Sequence, residues 1–384
     1  MTLGEKRVCV VAADVVSGFG HGIAPLWDGL LEGASAVGPV ERFAVESFVS
    51  GSAVLIPGLF PSGNESLADA ILAMLTGSVA AWAPKEASLY LATTVGEVDR
   101  LQKTLEDGSA DALAGSNTVF LENVRHGLGL TASATLVSAA CASSTCAVAR
   151  AAAAISKGDI DCALVLALDA VTEFVFSGFS ALMALSPTQA RPFDRQRDGL
   201  TLGEAGAAVL LMDSRRAADE GRPVLGILEG WAMNNDAGHL TGPAADGEGL
   251  VRAVRHALQQ AGIDTGDIDA VCAHGTGTVY NDAMEIAACG TLFGPCRTPV
   301  YSIKGAIGHT LGAAGLVELI VVLESMRKGI VPPTPMLEVS DPEAAGMVSR
   351  ESVIKPLGRC LTTNSGFGGI NAALVVCGGE GETA

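Results

Sequence analysis

Six short runs of apolar residues, nearly free of polar interruption, alternate with alanine-rich stretches at helical spacing. The runs are Val8–Ala13, Leu89–Thr93, Ala163–Ala167, Ala207–Met212, Ala270–Ala273 and Ala372–Val376. A strand with one wet face alternates polar and apolar residues, whereas a strand apolar at consecutive positions needs cover on both faces. The intervening spacing predicts helices over Gly22–Glu32, Leu67–Ala81, Ala142–Lys157, Gly249–Ala261, Ala283–Leu292 and Gly312–Lys328. Gly158 after Lys157 reads as a helix-ending glycine, and Asp282 with Glu285 three residues later resembles a capping box. The pattern predicts a layered α/β protein with helices between and outside buried sheets.

The 384 residues are 49% hydrophobic. That is too long for one small core and fits one large α/β body or two fused halves. The charged stretch Asp213–Pro223 is the expected junction, dividing residues 1–220 from 221–384. Gly158-Asp159-Ile160-Asp161 is echoed by Gly266-Asp267-Ile268-Asp269, a weak sign of duplication because Gly and Asp are common turn residues. Glu41–Asn64 lacks periodicity and reads as loop.

The formal charge of −18 argues against a nucleic-acid partner, since phosphate contacts need basic surface. The nine cysteines (9, 141, 146, 162, 272, 289, 296, 360, 377) contain no CxxC pair and read as reduced thiols. The apolar run Val8–Val16 is short and holds Asp14, and Leu311–Leu323 holds Glu318, so both read as buried elements rather than membrane spans. The expectation is a cytosolic protein with no membrane partner.

Four motifs carry candidate chemistry. In Ser138-Ala139-Ala140-Cys141-Ala142-Ser143-Ser144 a cysteine stands where a long helix begins. The helix dipole and its free N–H groups favour thiolate there, although for the segment alone a packed core cysteine is the better reading. In His274-Gly275-Thr276-Gly277-Thr278 a histidine at a strand end precedes a Gly/Thr turn. It reads either as a cleft residue beside two amide-binding threonines or as a satisfied turn histidine. A phosphate loop is weak, because no Gly-Lys-Ser/Thr follows. Ser302-Ile303-Lys304-Gly305-Ala306-Ile307-Gly308-His309-Thr310-Leu311-Gly312-Ala313-Ala314-Gly315 sets Lys304 and His309 before a helix carrying Glu318. Asn364-Ser365-Gly366-Phe367-Gly368-Gly369 reads by itself as a turn with one aromatic.

In order along the chain, these motifs resemble the β-ketoacyl synthases, condensing enzymes of the thiolase-like superfamily. Arg191-Pro192-Phe193-Asp194-Arg195-Gln196-Arg197-Asp198-Gly199, Gly203-Glu204-Ala205-Gly206-Ala207, and an opening with Gly18, Gly20, Trp27 and Leu30 are similar to further stretches of that family. The resemblance implies a thiolase-like fold, two similar α/β halves in a five-layered αβαβα body. It implies catalytic Cys141, His274, His309 and Lys304, with Phe367, Thr276, Thr278 and Glu318 as substrate-contacting residues. It requires neither a metal nor another cofactor.

The implied reaction is a 3-oxoacyl-[acyl-carrier-protein] synthase reaction in fatty-acid or polyketide-type biosynthesis. Cys141 takes an acyl group from a carrier-protein or CoA thioester, and a malonyl thioester then condenses on it with loss of CO2. The implied partners are acyl carrier protein and a second chain, in a homodimer or in a heterodimer with another ketosynthase-like subunit. Lys304 is expected to orient His309 or Glu318, Phe367 to gate the acyl pocket, and the N–H groups of Cys141 and Phe367 to form an oxyanion hole.

The chain departs from the family where Ser365 runs directly into Gly366 and where Ile370 stands for a usual threonine. A non-catalytic chain-length-factor-like subunit is the main alternative, and such relatives usually lack the cysteine. An acyltransferase or thiolase reading is poorer, because Cys360 and Cys377 sit in no matching motif. His21, His126, His239 and His256 read as structural, with His239 at a stretch resembling a pocket edge. Asp194 and Glu204 are expected to pair with arginines.

Overall fold

The computed structural model describes residues 6–61, 65–108, 115–294 and 298–379. Ten strands form one continuous sheet path, and they fall into two sets of five. The first set is β1 (Val8–Ser17), β2 (Ser88–Ala92), β3 (Ala134–Val137), β4 (Cys162–Asp169) and β5 (Ala205–Asp213). The second is β6 (Gly226–Asn235), β7 (Ala270–Cys272), β8 (Val300–Tyr301), β9 (Arg359–Gly366) and β10 (Ile370–Gly378). The first set lies in the order β3-β2-β4-β5-β1 and the second in the order β8-β7-β9-β10-β6.

In both sets the pair at the β1 or β6 end and the next pair are antiparallel, and the remaining two are parallel. The halves therefore repeat one topology, joined where Val8–Val10 of β1 pairs with Gly226–Leu228 of β6. The tetrapeptide echo does not mark that repeat. Its first copy precedes β4, fourth in its half, and its second precedes β7, second in its half.

The helices are α1 (Ile23–Leu31), α2 (Leu67–Trp82), α3 (Val98–Glu106), α4 (Asn117–Gly127), α5 (Ser143–Lys157), α6 (Glu173–Ala181), α7 (Ser214–Asp219), α8 (Glu248–Ala261), α9 (Val279–Phe293), α10 (Lys304–Ile307) and α11 (Ala314–Lys328). The period-two alternation of the strands assigns the layers. In β4, Ala163, Val165 and Ala167 join a central core with α5 and α11, while Leu164, Leu166 and Leu168 join an outer core with α2 and α4. In β10, Ala372, Leu374 and Val376 reach the same central core, and Ala373 and Val375 join α8 and α9. This is the αβαβα order. Small residues let the central helices meet: a Cβ at Gly315 of α11 would lie 1.8 Å from Thr145 Oγ1 of α5.

All six apolar runs fall on strands and all six helical stretches on helices. Four strands of the path were not anticipated. β6 carries Glu229 and frays into half-exposed positions, β9 is rich in Thr and Asn, β3 is short and mostly half-buried, and β8 is only two residues long. Gly158 ends α5 at φ 81°. The Asp282/Glu285 capping box is corrected: the N-cap is Thr278, and both carboxylates lie inside α9. Glu204 pairs with Arg42, with Nη1 to Oε2 at 2.7 Å. Asp194 instead accepts the backbone N–H groups of Gln196, Glu338 and Val339, so amides hold it rather than an arginine. As far as residue 61 the segment Glu41–Asn64 is mostly loop, with Ser52–Ala53 pairing with Gly38–Pro39; its last three residues, 62–64, and also Cys296 lie outside the described residues. Among the described residues no helix is long and apolar enough to cross a membrane.

Candidate active site

The chain leaves β3 and turns through Ala140 at φ 48°, a left-handed conformation unusual for a residue with a Cβ. The Ser143 hydroxyl clamps this elbow by donating to Ala140 O at 2.6 Å and accepting from Ala139 N–H at 2.8 Å. Cys141 is thereby presented at the start of α5, 5% exposed. A Cβ at Gly366 would come within 3.0 Å of Ala139 O, so the β9–β10 hairpin packs tightly against the elbow. That turn holds Phe367, whose ring stacks on Phe179 at 5.6 Å, and Phe179 meets His309 edge-on at 6.4 Å.

His274 follows β7, Lys304 opens α10, and His309 lies just beyond α10. Cys141 Sγ and one nitrogen of each imidazole are within 4.8 Å of one another, and the two rings are perpendicular with centroids 5.1 Å apart. Behind them lies a buried polar network. Lys304 Nζ donates to the backbone oxygen of His274 and to Glu318 Oε1, and stands 3.3 Å from His274 Nδ1. Asn364 Nδ2 donates to Glu318 Oε2 at 2.7 Å and to His274 Nδ1 at 3.1 Å, while its carbonyl accepts from the Thr145 hydroxyl. An amide nitrogen only donates, so His274 Nδ1 accepts and the ring proton sits on Nε2.

That tautomer bears on metal binding. By distance, Cys141, His274 and His309 could form a ligand set. With its proton on Nε2, His274 has no lone pair to offer there, and a cationic lysine already stands behind the ring. Toward the cluster, His274 can only donate.

Burial dominates the electrostatics. It pushes the Cys141 thiol up to about 12, against the opposing pull of Lys304 and of the N–H groups of Phe367 and Cys141 itself. The expectation that the helix end makes a resting thiolate is thus corrected: desolvation outweighs the dipole. Burial, then Lys304, holds both histidines well below their usual value, with His309 adding to the effect on His274, so both rings are neutral at pH 7. Burial also raises the Glu318 carboxyl, opposed by Lys304 and Asn364.

A cavity of about 680 Å³ opens onto Cys141, both histidines and Phe367. Thr276 and Thr278 line it, their hydroxyls 2.9 Å apart, and His239 lies in its wall with Nδ1 accepting from the N–H groups of Thr241 and Gly242. Glu318, expected to contact substrate, is instead walled off behind Lys304 and Asn364 and is 1% exposed. Lys304 contacts Glu318 and His274; among the described residues it makes no hydrogen bond to His309, whose Nδ1 has no partner.

Sequence reasoning missed the residues that hold this machinery in place. Asp169, at the end of β4, accepts from Thr93, Thr94 and the N–H of Gly312, and burial raises it to about 6. Asp282 accepts the N–H groups of Phe193, Thr276 and Gly277, and Glu285 those of His274 and Gly275. Acidic residues at this spacing inside a helix were the available signal, read as a cap.

Family models match both halves: "Beta-ketoacyl synthase, N-terminal domain" over residues 64–217 and "Beta-ketoacyl synthase, C-terminal domain" over residues 225–338. The chain is 32% identical to a protein of Streptomyces halstedii named as a polyketide beta-ketoacyl synthase 1, over 98% of this chain and 99% of that one. It is 30% identical to the 3-oxoacyl-[acyl-carrier-protein] synthase 2 of Rhizobium meliloti (strain 1021), over 97% and 98%. Among solved structures, "The ishigamide ketosynthase/chain length factor" superposes with a TM-score of 0.89 at 27% identity, over 97% of this chain and 99% of that one.

Proposed function

This chain belongs to the β-ketoacyl synthase family, and from that premise we propose that it is a 3-oxoacyl-[acyl-carrier-protein] synthase that carries its acyl intermediate on Cys141. The observation that carries the reading is the cavity floor, where a thiol at a helix start and two neutral imidazoles lie within 4.8 Å of one another.

In the first half-reaction Cys141 Sγ attacks the thioester carbonyl of an acyl carrier, and the thiol proton leaves with the departing carrier thiol. The N–H groups of Cys141 and Phe367, which face the sulfur, are suited to receive the oxyanion. In the second, the malonyl C–C bond breaks, CO2 leaves, and the electron pair moves onto the thioester oxygen as an enolate. Nε2–H of His274 and an N–H of His309 stabilise that charge without giving up a full proton, consistent with rings neutral at pH 7. The enolate carbon then attacks the acyl-Cys141 carbonyl, and the sulfur leaves and takes a proton from solvent to return to the thiol as the 3-oxoacyl product forms on the carrier. Thr276 and Thr278 are placed to hold a pantetheine amide in the cavity wall.

Acyl carrier protein is the proposed donor, and a second ketosynthase-like chain, or a copy of this one, the proposed partner. The complete thiol and imidazole set favours a catalytic role over a chain-length-factor-like one. The proposed division of the chain is 1–220 and 221–384, between β5 and β6. The test is turnover of acyl- and malonyl-loaded carrier protein. Release of CO2 with formation of a 3-oxoacyl carrier, abolished in Cys141→Ala, supports the reading; no condensation with any acyl donor overturns it.

A further inference from the structure

Ser143, Ser144 and Thr145 follow one another at the start of α5, and all are fully buried. A buried hydroxyl is costly without a partner, and each of these has a different one. Ser143 clamps the elbow before Cys141, and Ser144 Oγ accepts the N–H of Leu316 in the first turn of α11 at 3.0 Å. Thr145, one turn beyond Cys141, donates to the side-chain oxygen of Asn364. They meet in the space that Gly315 leaves open: a Cβ there would lie 1.8 Å from Thr145 Oγ1 and 2.6 Å from Asn364 Oδ1. Thr145 thus fastens the oxygen end of the Asn364 amide, and Glu318 Oε2 takes one N–H of its nitrogen end at 2.7 Å. The amide nitrogen is also the donor nearest His274 Nδ1, at 3.1 Å against 3.3 Å for Lys304 Nζ.

We infer that Thr145 is a positioning residue for the enolate-forming step: through Asn364 it keeps the ring proton of His274 on Nε2, the nitrogen that donates into the cavity. The inference rests on the proposed decarboxylating function. Without the hydroxyl, the Asn364 oxygen is buried with no other donor among the described residues, and the amide loses the anchor that holds its NH2 against Nδ1. The ring form with its proton on Nδ1 then gains weight. That form turns a lone pair toward the developing enolate oxygen where a donor is needed. Lys304 still favours the productive form, so the loss is partial. Thr145 is not among the described residues lining the cavity, so its removal leaves the substrate's own contacts in place.

The experiment compares Thr145→Val, which keeps the side chain's shape and removes the donor, with Thr145→Ser, which keeps the donor. Three readouts are taken on the full chain: kcat and KM for malonyl-carrier decarboxylation, the rate of Cys141 acylation, and the His274 tautomer from ring-nitrogen chemical shifts of histidine-labelled protein. Thr145→Val should lower the decarboxylation kcat by about 10-fold, leave KM within about 2-fold, and slow acylation by less than about 3-fold. Its His274 signal should move toward the Nδ1-protonated form. Thr145→Ser should recover both kcat and tautomer, and Thr145→Ala, which also lacks the hydroxyl, should repeat the Thr145→Val pattern. A merely structural role would slow both half-reactions together and leave the tautomer unmoved. That result, an unchanged kcat in Thr145→Val, or a Thr145→Ser no better than Thr145→Val overturns the inference while wild type turns over. A wild type that neither acylates nor decarboxylates overturns the proposed function and the inference with it.

Discussion

Lys304→Met tests the buried network where it is most exposed to failure. Lys304 and Glu318 are each 1% exposed in their side chains and meet as an ion pair, with Asn364 the remaining hydrogen-bond donor to Glu318. Removing the ammonium while keeping the side chain's length leaves a buried carboxylate with one neutral donor. Breaking a buried pair from one side costs about 3–5 kcal/mol. With an unfolding entropy of about 0.8 kcal/mol/K for a chain of this length, the melting temperature should fall by about 4–6 °C.

The loss should depend on pH. Burial already raises the Glu318 carboxyl, and without Lys304 it rises further. A folded-state value above the unfolded one gives stability that is present below the unfolded value and lost as pH rises through the folded one. The variant should therefore approach wild type as pH falls toward 5 and diverge toward pH 8. The assay is urea unfolding at several pH values, with Lys304→Met/Glu318→Leu alongside; the double variant should recover most of the loss. A single variant less than about 1 kcal/mol below wild type, or a double variant no better than the single, would refute the reasoning.

Three further outcomes are expected. His309→Ala should lose malonyl decarboxylation more than Cys141 acylation, measured as CO2 release against adduct formation, because its ring faces the cavity while the elbow stands without it; equal losses would contradict the division of roles. Gly312→Ala should destabilise the protein by about 1–3 kcal/mol in denaturant titration, since its Cβ would lie 2.6 Å from Asp169 Oδ2 and 3.1 Å from Thr94 N; a neutral effect would show that this junction yields. Between pH 7 and 8, Glu285 alone should contribute a fall in stability of at most about 1.4 kcal/mol per pH unit. The folded chain keeps a proton on Glu285, at about 8, that the unfolded chain has lost, so Glu285→Gln should flatten the slope.

The layered fold was legible because a sheet covered on both faces has to be written in unbroken apolar runs, as in β4 and β5, where every residue is buried. β9 was not, because its buried Thr362, Thr363 and Asn364 are polar residues whose burial depends on distant partners. Cys141, His274, Lys304 and His309 could be named from motif order. Their mutual geometry could not, since Lys304 and Glu318, 14 residues apart, meet Asn364, 46 residues beyond Glu318, only in the folded chain. Glu285 and Asp282 show how a local signal misleads: acids near a helix start usually serve their own helix, but here they serve the preceding loop. The sign of the Cys141 shift was also beyond sequence, because the dipole is local while the desolvation that overrides it comes from the whole fold.

The most direct test of the central claim is the intact mass of the protein after incubation with a panel of acyl-loaded carrier proteins, with Cys141→Ala treated in parallel. The account predicts one acyl adduct on wild type, mapping to Cys141, and none on the variant. An adduct that persists in Cys141→Ala, or a wild type that stays unmodified with every donor, would contradict it.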